Sequence, residues 1–367
     1  MGTCIENFWG GRDTLVLGNP ATKFEPGSIT NACEQLDVFG NVILQTSGTT
    51  GKSRWVILSR EAIRGSARAV NSHLGITHDD IWFCALPVFH AGGLAIHVRA
   101  RESGSSVVSY AGHWDPRLFT EQCRTSGATI CSLVPTQVYD LASNSLTAPE
   151  TLRIALVGGA PLDSKLRDKA RSLGWPVRET YGMTETASQV ATQLSDDVGM
   201  EILECWDVRI GSDSQLEVRG ENLFSGYLHE ESGSWGLLRG KDENGWFVTG
   251  DRMFHSGRTL QFRGRNDTLL KILGERVELD GLQARIESLA GESFAITAIP
   301  DERCGWRIIL VAGDGAPVDD VLRLYNNSSL SIERASGSAR VDKIPRTALG
   351  KLCRGKLGQL LGDEEHE

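Results

Sequence analysis

The chain has 367 residues, and at about 150 residues per domain this allows roughly two domains, with enough core to fold without disulfides or a structural metal. Hydrophobic residues make up 40% and charged residues 23%, with 41 glycines and 11 prolines, a composition that excludes disordered and collagen-like classes. Lys plus Arg number 38 against 47 Asp plus Glu, so a formal charge of -9 opposes nonspecific binding to nucleic acid or an anionic membrane.

The first strong strand signal is Val42-Ile43-Leu44, followed by the polar run Thr46-Ser47-Gly48-Thr49-Thr50-Gly51 and the strand-like WVIL. Residues 81–86 (IWFCAL), 105–110 (SSVVSY), 129–135 (TICSLVP) and 153–159 (RIALVGG) read as strands. Residues 115–127 and 162–174 read as helices, the second ending at Gly174. Such alternation predicts a large N-terminal layered α/β domain with a largely parallel sheet. After about residue 200 the pattern changes to short alternating strands (QLEVRG, WFVTGD, TLQFRGR), which predicts an adjoining β-rich subdomain, antiparallel or barrel-like. Beyond Arg265 come LLKIL, the helical LDGLQARIESLA, the strands FAITAIP and RIILVAG, and the helical VDDVLRLYNN. These predict a small α+β C-terminal domain, giving domains 1–264 and 265–367 with the boundary in Gly264-Arg265-Asn266-Asp267.

The loop 46–54 gathers hydroxyls at Thr46, Ser47, Thr49 and Thr50, glycines at 48 and 51, and the cations Lys52 and Arg54. Converging N–H and O–H donors suit phosphate oxygens. Gly51-Lys52-Ser53 ends like a Walker loop, but that pattern needs Gly at 46 and a helix afterwards, where this chain has Thr and a strand signal. TSGTTG followed by a cation instead resembles the phosphate loop of the adenylate-forming superfamily of acyl-CoA synthetases, luciferases and adenylation domains. The resemblance extends, in the family's order, through Tyr181-Gly182-Met183-Thr184-Glu185, Thr249-Gly250-Asp251, Gly264-Arg265-Asn266-Asp267, Gly274-Glu275-Arg276-Val277 and Pro345-Arg346-Thr347-Ala348-Leu349-Gly350-Lys351.

The resemblance implies an ATP-dependent ligase that forms an acyl-adenylate and then a CoA thioester, with Mg²⁺ as cofactor and ATP and CoA as co-substrates. Thr46, Ser47, Gly48, Thr49, Thr50, Gly51 and Lys52 or Arg54 would hold the β- and γ-phosphates, Thr184 the α-phosphate and Glu185 the Mg²⁺. Asp251 and Arg265 would serve the ribose. Gly158, Gly159 and Ala160 would lie beside the adenine and Tyr181, with Gly182 following it, would stack on it, although a structural turn accounts for the glycines equally well. Lys351 would bridge the acyl carboxylate and the α-phosphate during adenylation. The C-terminal domain would then turn about Asp267, removing Lys351 and presenting Gly274 to the pantetheine tunnel.

Within the superfamily the chain most resembles the branch acting on 2-succinylbenzoate in menaquinone and phylloquinone biosynthesis. The stretches that carry this are Leu86-Pro87-Val88-Phe89-His90-Ala91-Gly92-Gly93-Leu94, Ser132-Leu133-Val134-Pro135-Thr136-Gln137, Gly158-Gly159-Ala160-Pro161-Leu162 and YGMTETASQV. His90, Ser188 and Gln189 are the acyl-pocket candidates. Such a dianionic aromatic acid needs an apolar floor and at least one buried donor or cation for the carboxylate that is not activated; the cations available are Arg99, Arg101 and Arg209, and the sequence does not select among them. Another carboxylic acid, or a nucleotide-binding relative without turnover, are the competing readings. Ser53, Arg54 and Trp55 depart from the family's Pro, Lys, Gly; Gly281-Leu282-Gln283 departs from its Glu-aliphatic-Glu; and a typical member has a hundred or more residues before the phosphate loop, so the first N-terminal subdomain is expected to be abbreviated. Scattered cysteines without a CxxC pair, an opening without signal or myristoylation features, and no run near the roughly 20 apolar residues of a membrane span predict a cytoplasmic protein. The partners expected are a small carboxylic acid, ATP and CoA, with no nucleic acid and no membrane; the family implies a homodimer.

Overall fold

Short strands whose residues alternate between two helical layers set the architecture. The computed structural model describes residues 9, 13–20, 24–46, 54–194, 199–231, 233–265, 268–272, 275–301, 304–347 and 350–363. Its first half contains β1 (Leu15–Leu17), α1 (Pro26–Gln35), β2 (Val42–Thr46), β3 (Arg54–Leu58), α2 (Arg60–Leu74), β4 (Ile81–Cys84), α3 (Ala91–Ser103), β5 (Ser106–Ser109), α4 (Pro116–Thr125), β6 (Ile130–Leu133), α5 (Pro135–Ser143), β7 (Ile154–Val157), α6 (Ser164–Ser172) and β8 (Val177–Met183). The strands β5-β4-β6-β7-β8 are hydrogen-bonded in that order and all parallel. Along them Trp82, Cys84, Ile130, Ile154 and Leu156 pack with Ile63, Ala67 and Val70 of α2 and Leu94 and Val98 of α3. Phe83, Cys131, Leu133, Ala155 and Val157 pack with Phe119 of α4, Val138 and Leu141 of α5 and Ala170 of α6. Period-two alternation therefore feeds both faces, as a sheet covered on two sides requires.

Helix ends follow local chemistry. Asp115 and Asp163 accept backbone N–H groups at the starts of α4 and α6, and Ser59 does so at the start of α2. Gly75, at φ 59°, ends α2 in the left-handed conformation. At the foot of the sheet Asp80, 5% exposed, accepts from both Arg153 Nε and Nη2 (2.9 and 2.7 Å), Thr129 Oγ1 (2.7 Å) and the Thr77 N–H (2.9 Å). Burial pushes its carboxyl up, but these donors and the Arg153 charge outweigh burial and hold it at about 2.

The second half supplies β9 (Ser188–Thr192), β10 (Met200–Ile202), β11 (Asp207–Ile210), β12 (Gln215–Arg219), β13 (Gly226–Glu231), β14 (Ser234–Leu238), β15 (Phe247–Ser256) and β16 (Thr259–Arg265). The stretch after residue 200 is antiparallel and builds no barrel of its own among the described residues. Its seven strands and β9 are divided between two sheets instead: β9-β10-β16-β15-β12-β11 continue from β8 into one eleven-stranded sheet, while β13-β14 join the first sheet in the order β1-β2-β3-β13-β14. The outer face of that first sheet is covered by α1 through Ile29 and Cys33 against Ile43, Ile57 and Leu228.

The C-terminal part contains the hairpin β17 (Leu269–Ile272) and β18 (Glu275–Glu278), α7 (Leu279–Ala290), β19 (Phe294–Asp301), β20 (Gly305–Gly313), α8 (Val318–Asn327), β21 (Gly337–Val341) and α9 (Arg354–Asp363). Its three-stranded sheet β19-β20-β21 packs α7 and α8 on one face and Leu357 of α9 on the other, in clusters that share no residue with the larger part. Among the described residues no helix is long and apolar enough to cross a membrane.

Candidate active site

Counted from β4, the parallel strands run in the order 2-1-3-4-5, so the chain reverses direction across the sheet between β4 and β6, and the loops beyond their carboxyl ends part there. Ligands of open α/β sheets bind in such a crevice. The candidate segments leave from those ends: Leu86–His90 after β4, Val134–Gln137 after β6, Gly158–Ala160 after β7 and Thr184–Thr186 after β8.

Beyond β8 the chain makes a short 3-10 turn, Thr184–Thr186, with the Met183 N–H donating to Thr186 Oγ1 (3.1 Å) and Ala187 at φ 57°. A Cβ at Gly182 would run into the Ser188 carbonyl, so only glycine lets β8 and β9 close here. The turn is pinned to the other sheet: Phe224 N–H donates to the Glu185 carbonyl (2.8 Å) and the Tyr227 hydroxyl to Glu185 Oε1 (2.9 Å). Arg54, at the exit of the phosphate loop, lies 5.5 Å from the centre of the Tyr227 ring. Burial raises the Glu185 carboxyl above its ordinary range, and the hydrogen bond from Tyr227 with the charges of Arg54 and Arg265 opposes this. One carboxylate suits a hard ion that takes its other ligands from phosphate and water, and the cations beside it suit the phosphate. Among the described residues there is no group of three His, Cys, Asp or Glu side chains that could hold a metal ion.

Asp251 on β15 stands opposite Arg265 on β16, with Arg265 Nε 3.8 Å from Asp251 Oδ1. Tyr181, 8% exposed, donates its hydroxyl to Asp251 Oδ2 at 2.8 Å, and burial followed by the Asp251 charge drives its phenol far up. Thr249 receives the Asp251 N–H (3.1 Å). Arg54, Tyr181, Glu185, Asp251 and Arg265 thus form one electrostatic group, drawn from four separate motifs. Gly158 and Gly159 have steric reasons for their identity: a Cβ at 158 would come within 2.5 Å of Thr180 Oγ1, and Gly159 sits at φ 84° beside Val134. Ala160 lies exposed beyond them. Thr46 and Arg54 face each other in register at the mouth of the phosphate loop. Ser47, Gly48, Thr49, Thr50, Gly51, Lys52, Asp267 and Gly274 lie outside the described residues.

His90 is the extended residue before α3; its Nε2 is buried without a partner, and burial lowers its pKa, favouring the neutral ring. Arg99, on the same helix, is 2% exposed, with Nη2 donating to Ser188 Oγ (2.7 Å) and its guanidinium 5.7 Å from the Trp82 ring centre. Its Nε has no partner, no carboxylate among the described residues pairs with it, and burial pushes its pKa down to about 9. The other two cations are differently placed: Arg101 is exposed over Trp9, and Arg209 is half exposed and paired with Glu217 at 2.6 Å. Gln189, 5% exposed, accepts from Thr192 Oγ1 (2.6 Å) and so turns into the sheet, unlike Ser188. Tyr227 escaped sequence reasoning because its partner strand is set by the topology; its position in GYL carries no local signal.

Lys351 is exposed on a tight turn, with Thr347 N–H donating to the Lys351 carbonyl (2.8 Å) and Lys351 N–H to Thr347 Oγ1 (3.1 Å). Gly350 rests on Thr136 so closely that a Cβ would strike its methyl group. The connector Val134–Gln137, held by Gln137 Oε1 accepting the Val134 N–H (3.0 Å), therefore touches both the Gly159 loop and the Lys351 turn.

Residues 41–228 match the family model described as AMP-binding enzyme. A 2-succinylbenzoate–CoA ligase of Geobacillus sp. (strain WCH70) is 30% identical over 350 residues, covering 88% of this chain and 70% of the relative. The o-succinylbenzoate CoA synthetase of Bacillus subtilis in complex with the acyl-adenylate intermediate is 26% identical, with a TM-score of 0.74 over 86% of this chain and 68% of that one. The same enzyme in complex with ATP and magnesium is 25% identical, with a TM-score of 0.72 over 86% and 69%.

Proposed function

The chain belongs to the AMP-binding enzyme family, and from that premise we propose that it is an AMP-forming ligase joining 2-succinylbenzoate to CoA in menaquinone biosynthesis. The observation that carries the choice of acid is Arg99, a buried guanidinium with an unpartnered Nε and no carboxylate beside it, held by Ser188. An uncompensated buried charge is costly, and a dianionic substrate supplies the missing partner. The ring carboxylate meets Arg99, and the flexible succinyl arm is free to reach the nucleotide. His90, neutral and with a buried free nitrogen, is positioned to bind an acyl or keto oxygen.

A carboxylate cannot expel oxide, so it first becomes a mixed anhydride. One carboxylate oxygen attacks the α-phosphorus, the bond to the β-phosphate breaks, and pyrophosphate leaves. Thr46, Ser47, Gly48, Thr49, Thr50, Gly51, Lys52 and Arg54 hold the β- and γ-phosphates, Thr184 holds the α-phosphate, and Lys351 spreads its charge over the carboxylate and α-phosphate as negative charge builds. Asp251 accepts from the ribose with Arg265 alongside, and Gly158, Gly159, Ala160, Tyr181 and Gly182 frame the base. Glu185 would hold Mg²⁺, which when bound neutralises triphosphate charge. In the second half-reaction the CoA sulfur attacks the acyl carbon, the bond to AMP breaks, and the thiol proton passes to solvent. The small C-terminal unit turns about Asp267 between the two, so that Gly274 lines the thiol's approach and Lys351 withdraws. We place the enzyme in the cytoplasm, where ATP and CoA are both present and thiols such as Cys33 and Cys131 stay reduced.

The test is a coupled assay with ATP, Mg²⁺, CoA and a panel of acids, with mass detection of the thioester. The expected product is 2-succinylbenzoyl-CoA with AMP and pyrophosphate. Preference for a monoanionic acid would overturn the substrate, and ATP binding without acid-dependent pyrophosphate release would overturn the activity.

A further inference from the structure

The tail carries several cations, but one of them is built into a clamp. Arg346 is mostly buried, and its guanidinium makes three contacts at once: Nη2 to Glu287 Oε1 (2.7 Å), Nη2 to the Glu292 carbonyl (3.2 Å) and Nη1 to the Gly350 carbonyl (3.0 Å). The Glu287 carboxylate is itself fixed from its own helix, since Gln283 Nε2 donates to the same Oε1 at 2.8 Å. Gln283 is anchored in turn, its Oε1 accepting the buried Ile296 N–H at 2.7 Å. A hydrogen-bonded chain therefore runs from the core of α7 and β19 through Glu287 and Arg346 to the carbonyl of the residue before Lys351.

What that carbonyl fixes is the turn itself. Gly350 sits at φ 78°, its N–H donates to the Thr347 carbonyl (2.9 Å), and the strand-like pair Arg346 and Leu352 closes the turn from below. Lys351 also exchanges backbone contacts with Thr347, its N–H donating to Thr347 Oγ1 and its carbonyl accepting the Thr347 N–H. The fork of a guanidinium, which here reaches one carboxylate and two carbonyls at once, ties the Gly350 carbonyl to Glu287 and the backbone of Glu292. The seat on Thr136 sharpens the requirement, because a turn that must fit Gly350 against that side chain tolerates little drift.

We propose that Arg346 is a positioning residue for the adenylation half-reaction: braced by Glu287 and Gln283 of α7, it sets the Lys351 turn in the shape that docks on Thr136. The inference rests on the reading of Lys351 as the adenylation cation.

The experiment measures the two half-reactions separately in the full-length enzyme, using acid-dependent pyrophosphate release for the first and thioester formation from supplied 2-succinylbenzoyl-adenylate and CoA for the second. Lys351→Ala runs beside Arg346→Gln, Arg346→Lys and Glu287→Gln. For Arg346→Gln the expectation is a kcat for pyrophosphate release lowered between ~10- and ~100-fold, the scale of a small misplacement of a reacting group, with KM for ATP and acid and the second half-reaction within about 2-fold. Arg346→Lys, which keeps charge but loses the fork, restores part of the rate, and Glu287→Gln, with a smaller loss of the same kind, keeps the test open if Arg346→Gln does not fold. Equal losses in both half-reactions would make Arg346 a purely structural residue and overturn the proposal, as would unchanged pyrophosphate release in Arg346→Gln and Glu287→Gln. Full adenylation by Lys351→Ala would instead overturn the reading of Lys351 and the proposal with it.

Discussion

Replacing Arg99 by Met removes the buried charge while keeping an unbranched, flexible side chain of similar length. Held at about 9 against an ordinary 12.5, the guanidinium bears a burial penalty of about 5 kcal/mol at about 1.4 kcal/mol per pH unit. The hydrogen bond to Ser188 returns about 1.5–3 kcal/mol and the Trp82 contact about 0.5–2 kcal/mol. Arg99→Met should therefore leave the unliganded protein as stable or more so, by about 0–3 kcal/mol, seen as a Tm that is unchanged or a few degrees higher. The same change removes a charge-assisted contact to the ring carboxylate, so kcat/KM for 2-succinylbenzoate should fall between ~10- and ~150-fold. The control acid is 3-benzoylpropionate, which keeps the ring and the succinyl arm but lacks the ring carboxylate; its kcat/KM should change little. Pyrophosphate release with both acids and thermal melts of both proteins decide the matter. An equal fall for the two acids, or a lower Tm with unchanged selectivity, would refute the assignment of Arg99 to the second carboxylate.

Tyr227→Phe removes the donor to Glu185 without changing the packing of the ring, so the Mg²⁺ concentration for half-maximal ATP binding, followed by calorimetry, should rise by roughly 3- to 10-fold; an unchanged Mg²⁺ titration would disprove the link. Asp80 is held at about 2 against an ordinary 3.8, a depressed value, so its contribution is present above about pH 4 and is lost as pH falls through 2. Asp80→Asn should cost about 2 kcal/mol at neutral pH and flatten the acid limb of stability, measured by urea melts between pH 2 and 7; an acid limb as steep as before would show that other carboxylates carry it.

Strands were the legible part of the chain because β-branched and aromatic runs bounded by Gly and Asn carry their own signal. β2, β4, β6 and β7 fall where Val42-Ile43-Leu44 and its counterparts predict them. Helices α2 and α3 were harder. The buried face of α2 includes Ser66 and Asn71 among small residues, and α3 is buried almost all round, leaving little periodic contrast to read. Partner choice was not legible at all: β13 and β15 look alike locally, yet one joins the first sheet and the other the second, since strand pairing depends on distant residues. The site followed the same division. The phosphate, YGMTE and TGD motifs announce chemistry by residue type and order, whereas the choice among Arg99, Arg101 and Arg209 turns on burial. Ser188 lies 89 residues from Arg99, and no local pattern records that they meet.

The pinning of Glu185 to the opposite sheet bears on how the protein comes into being. Tyr227 follows Glu185 by 42 residues and Asp251 follows Tyr181 by 70, so the nucleotide site closes only through long-range contacts. A ribosome making this chain delivers the phosphate loop early but β13 and β15 much later. Until they arrive Glu185 lacks its Tyr227 brace and Tyr181 its Asp251 acceptor, so the site proposed for the nucleotide is completed late in synthesis.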